Sequence, residues 1–292
     1  MTTATLASGL PEPARRSRKQ KDPWGNPAVY FIALVVIALT LAPVAYIVLG
    51  GFRDNSQLTV DPAGMPHPWR FSNYSKVLES ATFWREFVNS AVVGAITTAL
   101  VVGLGMMASY VIARYQFRGR GFMFGLFAAG LMFPITVAIT PLFILLDKLH
   151  LTDSLVGVVL PQVAFGLPTT VIILVPFLQA IPMEIEEAAA VDGCGKLAFF
   201  FRMVLPLSLP GVLTTGILTF VASWNSYLLP LFVLSNTDKF TLPLGVQQFH
   251  SQYASDTAAV LAFTSLSMLP ALLFFTAFER RIVGGLQGAV KG

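Results

Sequence analysis

The chain has 292 residues, of which 55% are hydrophobic and only 12% are charged, whereas charged residues make up about 25% of an average soluble domain. This composition, with a mean hydropathy of +0.70, excludes a water-soluble globule. The isoelectric point near 9.3 is no sign of nucleic-acid binding, because cytoplasmic membrane loops carry the same basic excess. A disulfide scaffold is excluded as well, since Cys194 has no second cysteine to pair with.

Charged residues avoid six stretches of the chain. Each stretch lacks Asp, Glu, Lys and Arg, and the shortest has 22 residues, whereas a helix needs about 20 apolar residues to cross a bilayer. The stretches are residues 23–52, 87–113, 121–146, 154–183, 203–237 and 257–278. The sequence therefore predicts an all-α integral membrane protein with six transmembrane helices.

The first 25 residues differ in composition from those that follow. They are rich in Pro, Ser, Arg and Lys, which predicts a disordered cytoplasmic N-terminal tail ahead of a membrane domain over residues 26–281. A cleaved signal peptide is the alternative interpretation. Its apolar region would have about 7–15 residues, whereas the apolar stretch here continues from Ala28 to Leu49.

The loops between the predicted spans carry an uneven distribution of basic residues. With both termini inside, the inner loops and tails hold 13 Lys or Arg and the outer loops hold six, which favours an N-in, C-in orientation. The first outer loop, residues 53–86, is long, and Ser72 is predicted to cap a short helix within it. His67, His150 and His250 all fall in outer loops, where separate surface histidines are favoured over a shared metal site.

The predicted spans contain neutral polar residues but no Asp, Glu, Lys, Arg or His. Ion-coupled transporters usually place such residues inside the bundle, so energy for uphill transport would have to come from another subunit. The end of the fifth span combines aromatic rings with an amide, which suits a sugar. The candidate pathway residues are Thr219, Trp224, Asn225 and Tyr227. A hydrogen bond between helices is the simpler role for Asn225, because an amide in hydrocarbon needs a partner.

No nucleotide-binding loop is found in the sequence. The pair Gly195-Lys196 is followed by Leu197, where a phosphate-binding loop needs Ser or Thr. We therefore expect the chain to bind no nucleotide, cofactor or metal by itself.

The inner loop over residues 181–205 is acidic, although a loop resting on anionic lipid headgroups should be basic. Pro182, three Glu in the next turn and an alanine run predict a short helix that Gly193 ends. Such a helix suits either a groove in a basic partner or a solvated connection between spans. The residues alone favour neither.

This loop resembles the EAA signature of ABC importer permeases. Met203 stands where Ile is usual in that signature, and Cys194 stands where Ala is common. The matching residues are Glu187-Ala188-Ala189, Asp192-Gly193 and Leu205-Pro206.

Further segments resemble the carbohydrate-uptake branch of that family, of the maltose type and similar to MalG. The resemblance extends from about Tyr30 to Gly292. The segments are Phe87-Val88-Asn89-Ser90, Ala113-Arg114, Phe117-Arg118-Gly119-Arg120, Trp224-Asn225-Ser226-Tyr227-Leu228-Leu229-Pro230-Leu231, Thr241-Leu242-Pro243, Ile282-Val283-Gly284-Gly285-Leu286 and Gly288-Ala289-Val290-Lys291-Gly292.

The resemblance implies the ABC type I importer permease fold and an import complex in the plasma (inner) membrane of a prokaryote. The chain would pair with a second homologous permease, an ATPase dimer that binds ATP and Mg, and an extracytoplasmic sugar-binding protein. An ion-coupled secondary transporter of a neutral solute is the alternative, which the uncharged spans and the acidic inner loop disfavour.

The resemblance also assigns two coupling regions. The loop 181–205 would carry the coupling helix that docks on an ATPase subunit, and the C-terminal tail 282–292 would reach between the ATPase subunits. The glycines of this tail by themselves predict little helix. The coupling residues implied are Glu186, Glu187, Ala188, Ala189, Asp192, Gly193, Leu205 and Pro206 in the loop, and Gly284, Gly285 and Lys291 in the tail.

Overall fold

A computed structural model of the chain describes residues 27–249 and 256–290, in which all regular elements are helices. The chain divides into two compact units, Met1–Ala45 and Tyr46–Gly292. The predicted N-terminal tail lies outside the described residues. The helices are α1 Pro27–Gly50, α2 Asn55–Val60, α3 Ser72–Glu79, α4 Ala81–Arg114, α5 Arg120–Gly130, α6 Ile135–Lys148, α7 Leu155–Gln179, α8 Met183–Val191, α9 Lys196–Phe199, α10 Leu205–Leu207, α11 Leu209–Trp224, α12 Leu228–Val233, α13 Leu242–Gly245 and α14 Thr257–Val290.

Four helices are long and apolar enough to cross a bilayer on their own: α1, α4, α7 and the part of α14 from Thr257 to Thr276. Two pairs pass the same test together but are bent, α5 with α6 by 99° and the segment Lys196–Leu207 with α11 by 75°. The six charge-free stretches thus correspond to four continuous helices and two broken ones. The all-helical membrane fold is confirmed, whereas the count of six spans and their orientation stay predictions.

Prolines account for both breaks. Pro134, with φ of −75°, stands immediately before α6, and its ring removes the backbone donor that a continuous helix would need. At the second break, Pro206 and Pro210 flank Ser208, which separates α10 from α11. A π-helical segment, Phe200–Val204, precedes this break, and such segments also bend helices.

Helix α4 is the element against which α7 and α11 pack. A Cβ added at Gly105 would lie 2.5 Å from Cγ2 of Thr170 on α7, and one added at Gly94 would lie 3.0 Å from the ring of Phe220 on α11. Small residues of this kind let membrane helices approach closely. The backbone of α4 therefore lies close to both neighbours.

The outer connection over residues 53–86 is more ordered than predicted. Helix α4 begins at Ala81, so that Glu86 lies inside a helix, where it is fully buried and accepts a hydrogen bond from Nε2 of Gln248. The charge of Glu86 does not keep this residue out of the helix, because its carboxylate has a hydrogen-bond partner, Gln248, in a distant segment. Ser72 is the first residue of α3 and makes no capping hydrogen bond, so its predicted capping role was wrong.

The C-terminal segment also differs from its prediction. The backbone of α14 is helical to Val290, whereas the glycines of residues 282–292 predicted little helix. A glycine costs about 1 kcal/mol in a helix, but lengthening an existing helix needs no new nucleus. Lys291 lies outside the described residues, as does His250. No group of three or more His, Cys, Asp and Glu able to hold a metal ion occurs within residues 27–249 and 256–276.

Candidate functional site

A cavity of about 320 Å³ lies between α4, α7 and α11. Seven of its lining residues carry a hydroxyl group, one carries an amide, and none of the described lining residues carries a charge. The lining residues are Thr97, Ile135, Gln162, Phe165, Gly166, Thr169, Thr170, Ile173, Thr215, Leu218, Thr219, Ala222, Ser223 and Ser226. The cavity can therefore offer many hydrogen bonds to a neutral ligand.

The amide of Gln162 joins the three helices that enclose this cavity. Its Oε1 accepts hydrogen bonds from Oγ1 of Thr97 on α4, at 3.3 Å, and from Oγ of Ser223 on α11, at 2.5 Å. Its Nε2 is buried and has no hydrogen-bond partner among the described residues. A buried donor without a partner is costly. An oxygen atom of a ligand in the cavity could accept the hydrogen bond that Nε2 of Gln162 offers.

An aromatic ring adds an apolar surface to the polar lining. Phe165 lines the cavity and stacks on Phe133 with the ring centroids 6.5 Å apart. An aromatic face suits the C–H face of a sugar ring, whereas hydroxyl and amide groups suit its hydroxyls. The lining thus matches a neutral, polyhydroxylated solute.

Of the predicted pathway residues, Thr219 alone lines the cavity. Trp224 is 3% exposed, and its Nε1 donates to the carbonyl of Ser267. Nδ2 of Asn225 donates to the carbonyl of Val221, one turn earlier in its own helix, at 3.0 Å.

Tyr227 is also away from the cavity. Its hydroxyl accepts a hydrogen bond from Nε2 of Gln247 at 3.0 Å. Trp224, Asn225 and Tyr227 therefore do not line this cavity, and their place in the pathway stays a prediction.

Gln162 is not among the predicted pathway residues, although the sequence contains a signal for it. The residue is an amide inside the fourth charge-free stretch, nine residues after Asp153 and 22 residues before Glu184. An amide at that depth needs a partner. Which helices supply the partner depends on how the spans pack, and the sequence does not show this.

The inner loop folds as predicted into a short helix. Helix α8 follows Pro182, carries Glu184 and Glu186 in its first turn, and is followed by Gly193 with φ of 76°. The predicted coupling residues divide by exposure. Ala189 is buried, Glu186 and Leu205 are half-buried, and the exposed ones are Glu187, Ala188, Asp192, Gly193 and Pro206.

Arg114, the last residue of α4, ties this loop to the membrane domain. Its Nε lies 3.1 Å from Oε2 of Glu186 on α8, and its Nη1 donates to the carbonyl of Ile181 at 2.8 Å. The Arg114 side chain is 5% exposed and that of Glu186 is 31% exposed. Glu186 therefore faces inward, which leaves Glu187 and Asp192 as the acidic residues of the signature that a partner can reach.

An open groove lies beside α8 and combines apolar side chains with charges of both signs. Its volume is about 450 Å³, and Glu184, Asp192 and Arg202 supply the charges. A groove of this kind fits a protruding segment of another protein better than it fits a small molecule.

Comparison with protein families matches residues 82–284 to the binding-protein-dependent transport system inner membrane component. The matched region contains the cavity, Arg114 and α8. It covers well over half of the chain.

Two characterised relatives align with nearly the whole chain. The diacetylchitobiose uptake system permease protein NgcG of Streptomyces coelicolor is 34% identical over 89% of this chain and 87% of that protein. The trehalose transport system permease protein SugB of Mycobacterium tuberculosis is 34% identical over 91% of this chain and 98% of that protein.

A solved structure supports the same fold. The crystal structure of a bacterial ABC transporter involved in the import of the acidic polysaccharide alginate matches with a TM-score of 0.75 at 20% identity, over 87% of this chain and 95% of that chain. The chain therefore belongs to the family of binding-protein-dependent transport system inner membrane components, as a multi-pass permease of the bacterial inner membrane.

Proposed function

We propose that this chain is the permease subunit of an ATP-driven ABC importer, and that the cavity around Gln162 is part of its pathway for a sugar or oligosaccharide. The observation that carries the proposal is the uncharged lining, with its seven hydroxyl groups and one amide. The relatives named for diacetylchitobiose and trehalose uptake support a neutral sugar as the substrate.

The remaining subunits follow from this proposal. A second homologous permease completes the pathway, and an extracytoplasmic binding protein delivers the sugar. An ATPase dimer binds ATP and Mg²⁺ and docks at α8. The exposed Glu187 and the groove beside α8 support this docking site.

Transport by the assembled complex tests the role of the cavity. We expect Gln162→Leu to raise the sugar concentration for half-maximal uptake about fivefold or more, because one lost hydrogen bond is worth about 1 kcal/mol or more. Uptake of labelled sugars is measured in proteoliposomes that contain the two permeases, the ATPases and the binding protein.

The matched control is Gln179→Leu, which removes an exposed amide at the far end of the same helix and should leave uptake unchanged. Normal uptake by the Gln162→Leu complex would remove the cavity from the pathway. Uptake driven by an ion gradient without ATP would instead favour a secondary transporter.

A further inference from the structure

We propose that Arg114 is a positioning residue that transmits movement of the α8 loop to α4, and through α4 to the wall of the cavity. The inference rests on the proposed function, since it assigns a route between ATPase docking and the pathway. Three features support it: the joint at Arg114, the packing around that joint, and the continuity of α4.

The joint consists of one side chain with two partners in the loop. The Arg114 guanidinium contacts the carboxylate of Glu186 and the carbonyl of Ile181 at the same time. A hydrogen bond between two charged groups is stronger than a neutral one. With only 5% of the side chain exposed, water competes little for these contacts. The joint therefore holds the beginning of α8 at the end of α4.

Packing around the joint prevents the loop from sliding on α4. The ring of Tyr110, one turn before Arg114, lies 5.0 Å from the ring of Phe200 in the loop, and 5.6 Å from that of Tyr115. Ala189 of α8 and Phe199 belong to the same buried cluster. Because cores of this density do not deform continuously, the loop and the last turns of α4 should move together.

Helix α4 continues from this joint to the cavity without a break. It has 34 residues and no proline, and Thr97 lies about 25 Å along the helix from Arg114, at about 1.5 Å per residue. Thr97 donates to Gln162 in the cavity wall. One rigid helix thus contacts both the loop and the pathway, which is a physical route for coupling between the two sites.

The same helix also contacts the segment 238–242, which follows α12. Oγ of Ser90 accepts the backbone N–H of Leu242 at 2.8 Å, and Nδ2 of Asn89 donates to the carbonyls of Asp238 and Phe240, each at 2.9 Å. A shift of α4 would therefore move both the α8 loop at its end and the segment 238–242 near its start.

Nearby arginines lack this arrangement. Arg118 is exposed, and Nη2 of Arg120 reaches only the carbonyl of Ala113, at 3.5 Å. Arg118→Gln is therefore a matched control. It removes the same charge as Arg114→Gln, four residues further along the chain, without breaking the joint.

The experiment measures sugar transported per ATP hydrolysed in the reconstituted complex. We expect Arg114→Gln and Glu186→Gln to lower this ratio about fivefold or more, while ATP hydrolysis continues. Fivefold is about the smallest effect that coupled sites usually have on each other's affinity. Arg118→Gln should keep the wild-type ratio. The exchanged pair Arg114→Glu with Glu186→Arg should recover part of it, since it restores opposite charges at the joint.

An unchanged ratio in Arg114→Gln would overturn the inference, and so would uptake and hydrolysis that fall in parallel, because this indicates a purely structural role. If Arg114→Gln fails to assemble, Glu186→Gln decides, since its half-buried side chain tolerates an isosteric change. ATP-dependent uptake by the wild-type complex tests the proposed function separately. Its absence would refute that function whatever the variants do.

Discussion

At the scale of single residues, Asp153 shows how one carboxylate can hold the segment 235–239, on the predicted outer side. It accepts the backbone N–H groups of Ser235 and Asn236 at 3.1 and 2.9 Å, and lies 2.8 Å from the ammonium of Lys239. The hydrogen bond from Lys239, followed by those from the two backbone groups, lowers the pKa of Asp153 from 3.8 to about 2. Since each contact favours the ionised form, the segment depends on the charge of Asp153.

The lowered pKa fixes the sign of the pH dependence. A carboxylate with a depressed folded-state pKa stabilises the fold above its unfolded pKa, and this contribution is lost as pH falls through the folded value. We therefore expect the segment 235–239 to stay protected at pH 5 and to loosen between pH 3.8 and 2. Hydrogen–deuterium exchange with pulses at pH 5 and pH 3 measures this protection.

Removal of the negative charge of Asp153 by substitution should have the same effect as its protonation at low pH. Asp153→Asn should speed exchange in the segment 235–239 at pH 7, whereas Asp147→Asn, at an exposed position on α6, should not. Equal protection in the Asp153→Asn protein and the wild type would show that the charge is unimportant there.

At the scale of helices, close packing depends on glycines at defined positions. Gly105 lies against Thr170, and a Cβ there would lie 2.5 Å from its methyl group, whereas a Cβ on Gly103 of the same helix meets nothing within 4 Å. The two glycines are two residues apart on α4, but only Gly105 is at the interface with α7. Composition does not distinguish them.

This contrast predicts different costs for the same substitution. Gly105→Leu should destabilise the protein by about 1–3 kcal/mol, the usual cost of overpacking, because α4 would have to move away from α7. Gly103→Leu should be tolerated. The melting temperature of the purified permease complex measures both, and equal melting temperatures would contradict the packing of α4 against α7.

The sequence predicted the apolar elements well and their ends and contacts less well. Charge-free stretches located the helices because a bilayer excludes unpaired charge. The start of α4 was missed because Arg85 pairs with Asp238 at 2.8 Å, a contact between segments distant in the chain. The hydrogen bond of Asn225 was predicted to join two helices, but its Nδ2 donates to the carbonyl of Val221 in its own helix.

At the scale of the whole molecule, the unit Tyr46–Gly292 separates three tasks along one helix. The loop with α8 is tied to one end of α4, the cavity lies beside its middle, and the segment 238–242 binds near its start. The N-in, C-in orientation would place α8 in the cytoplasm, where an ATPase acts. This assignment depends on how many of the candidate spans cross the membrane between the outer connection and α8.

The single cysteine allows that number to be tested. Cys194 is half-buried in the α8 loop, and Val60, 85% exposed at the end of α2, lies on the predicted outer side. A membrane-impermeant maleimide should label Cys194 in inside-out vesicles, but not in intact spheroplasts. In a Cys194→Ser background, Val60→Cys should show the opposite pattern. Vesicles without the ATPase prevent masking of the loop.

The two labelling patterns also decide the state of the bent pair α5 and α6. Between Val60 and Cys194 the chain passes α4, this pair and α7. Three crossings put the two residues on opposite sides, whereas a re-entrant pair leaves two crossings and puts them on the same side. Opposite labelling therefore means that α5 and α6 cross the bilayer as one broken span despite their 99° bend. Labelling of both residues from one side would reduce the number of spans, and if that side is the outer one, α8 with Glu187 would lie away from a cytoplasmic ATPase.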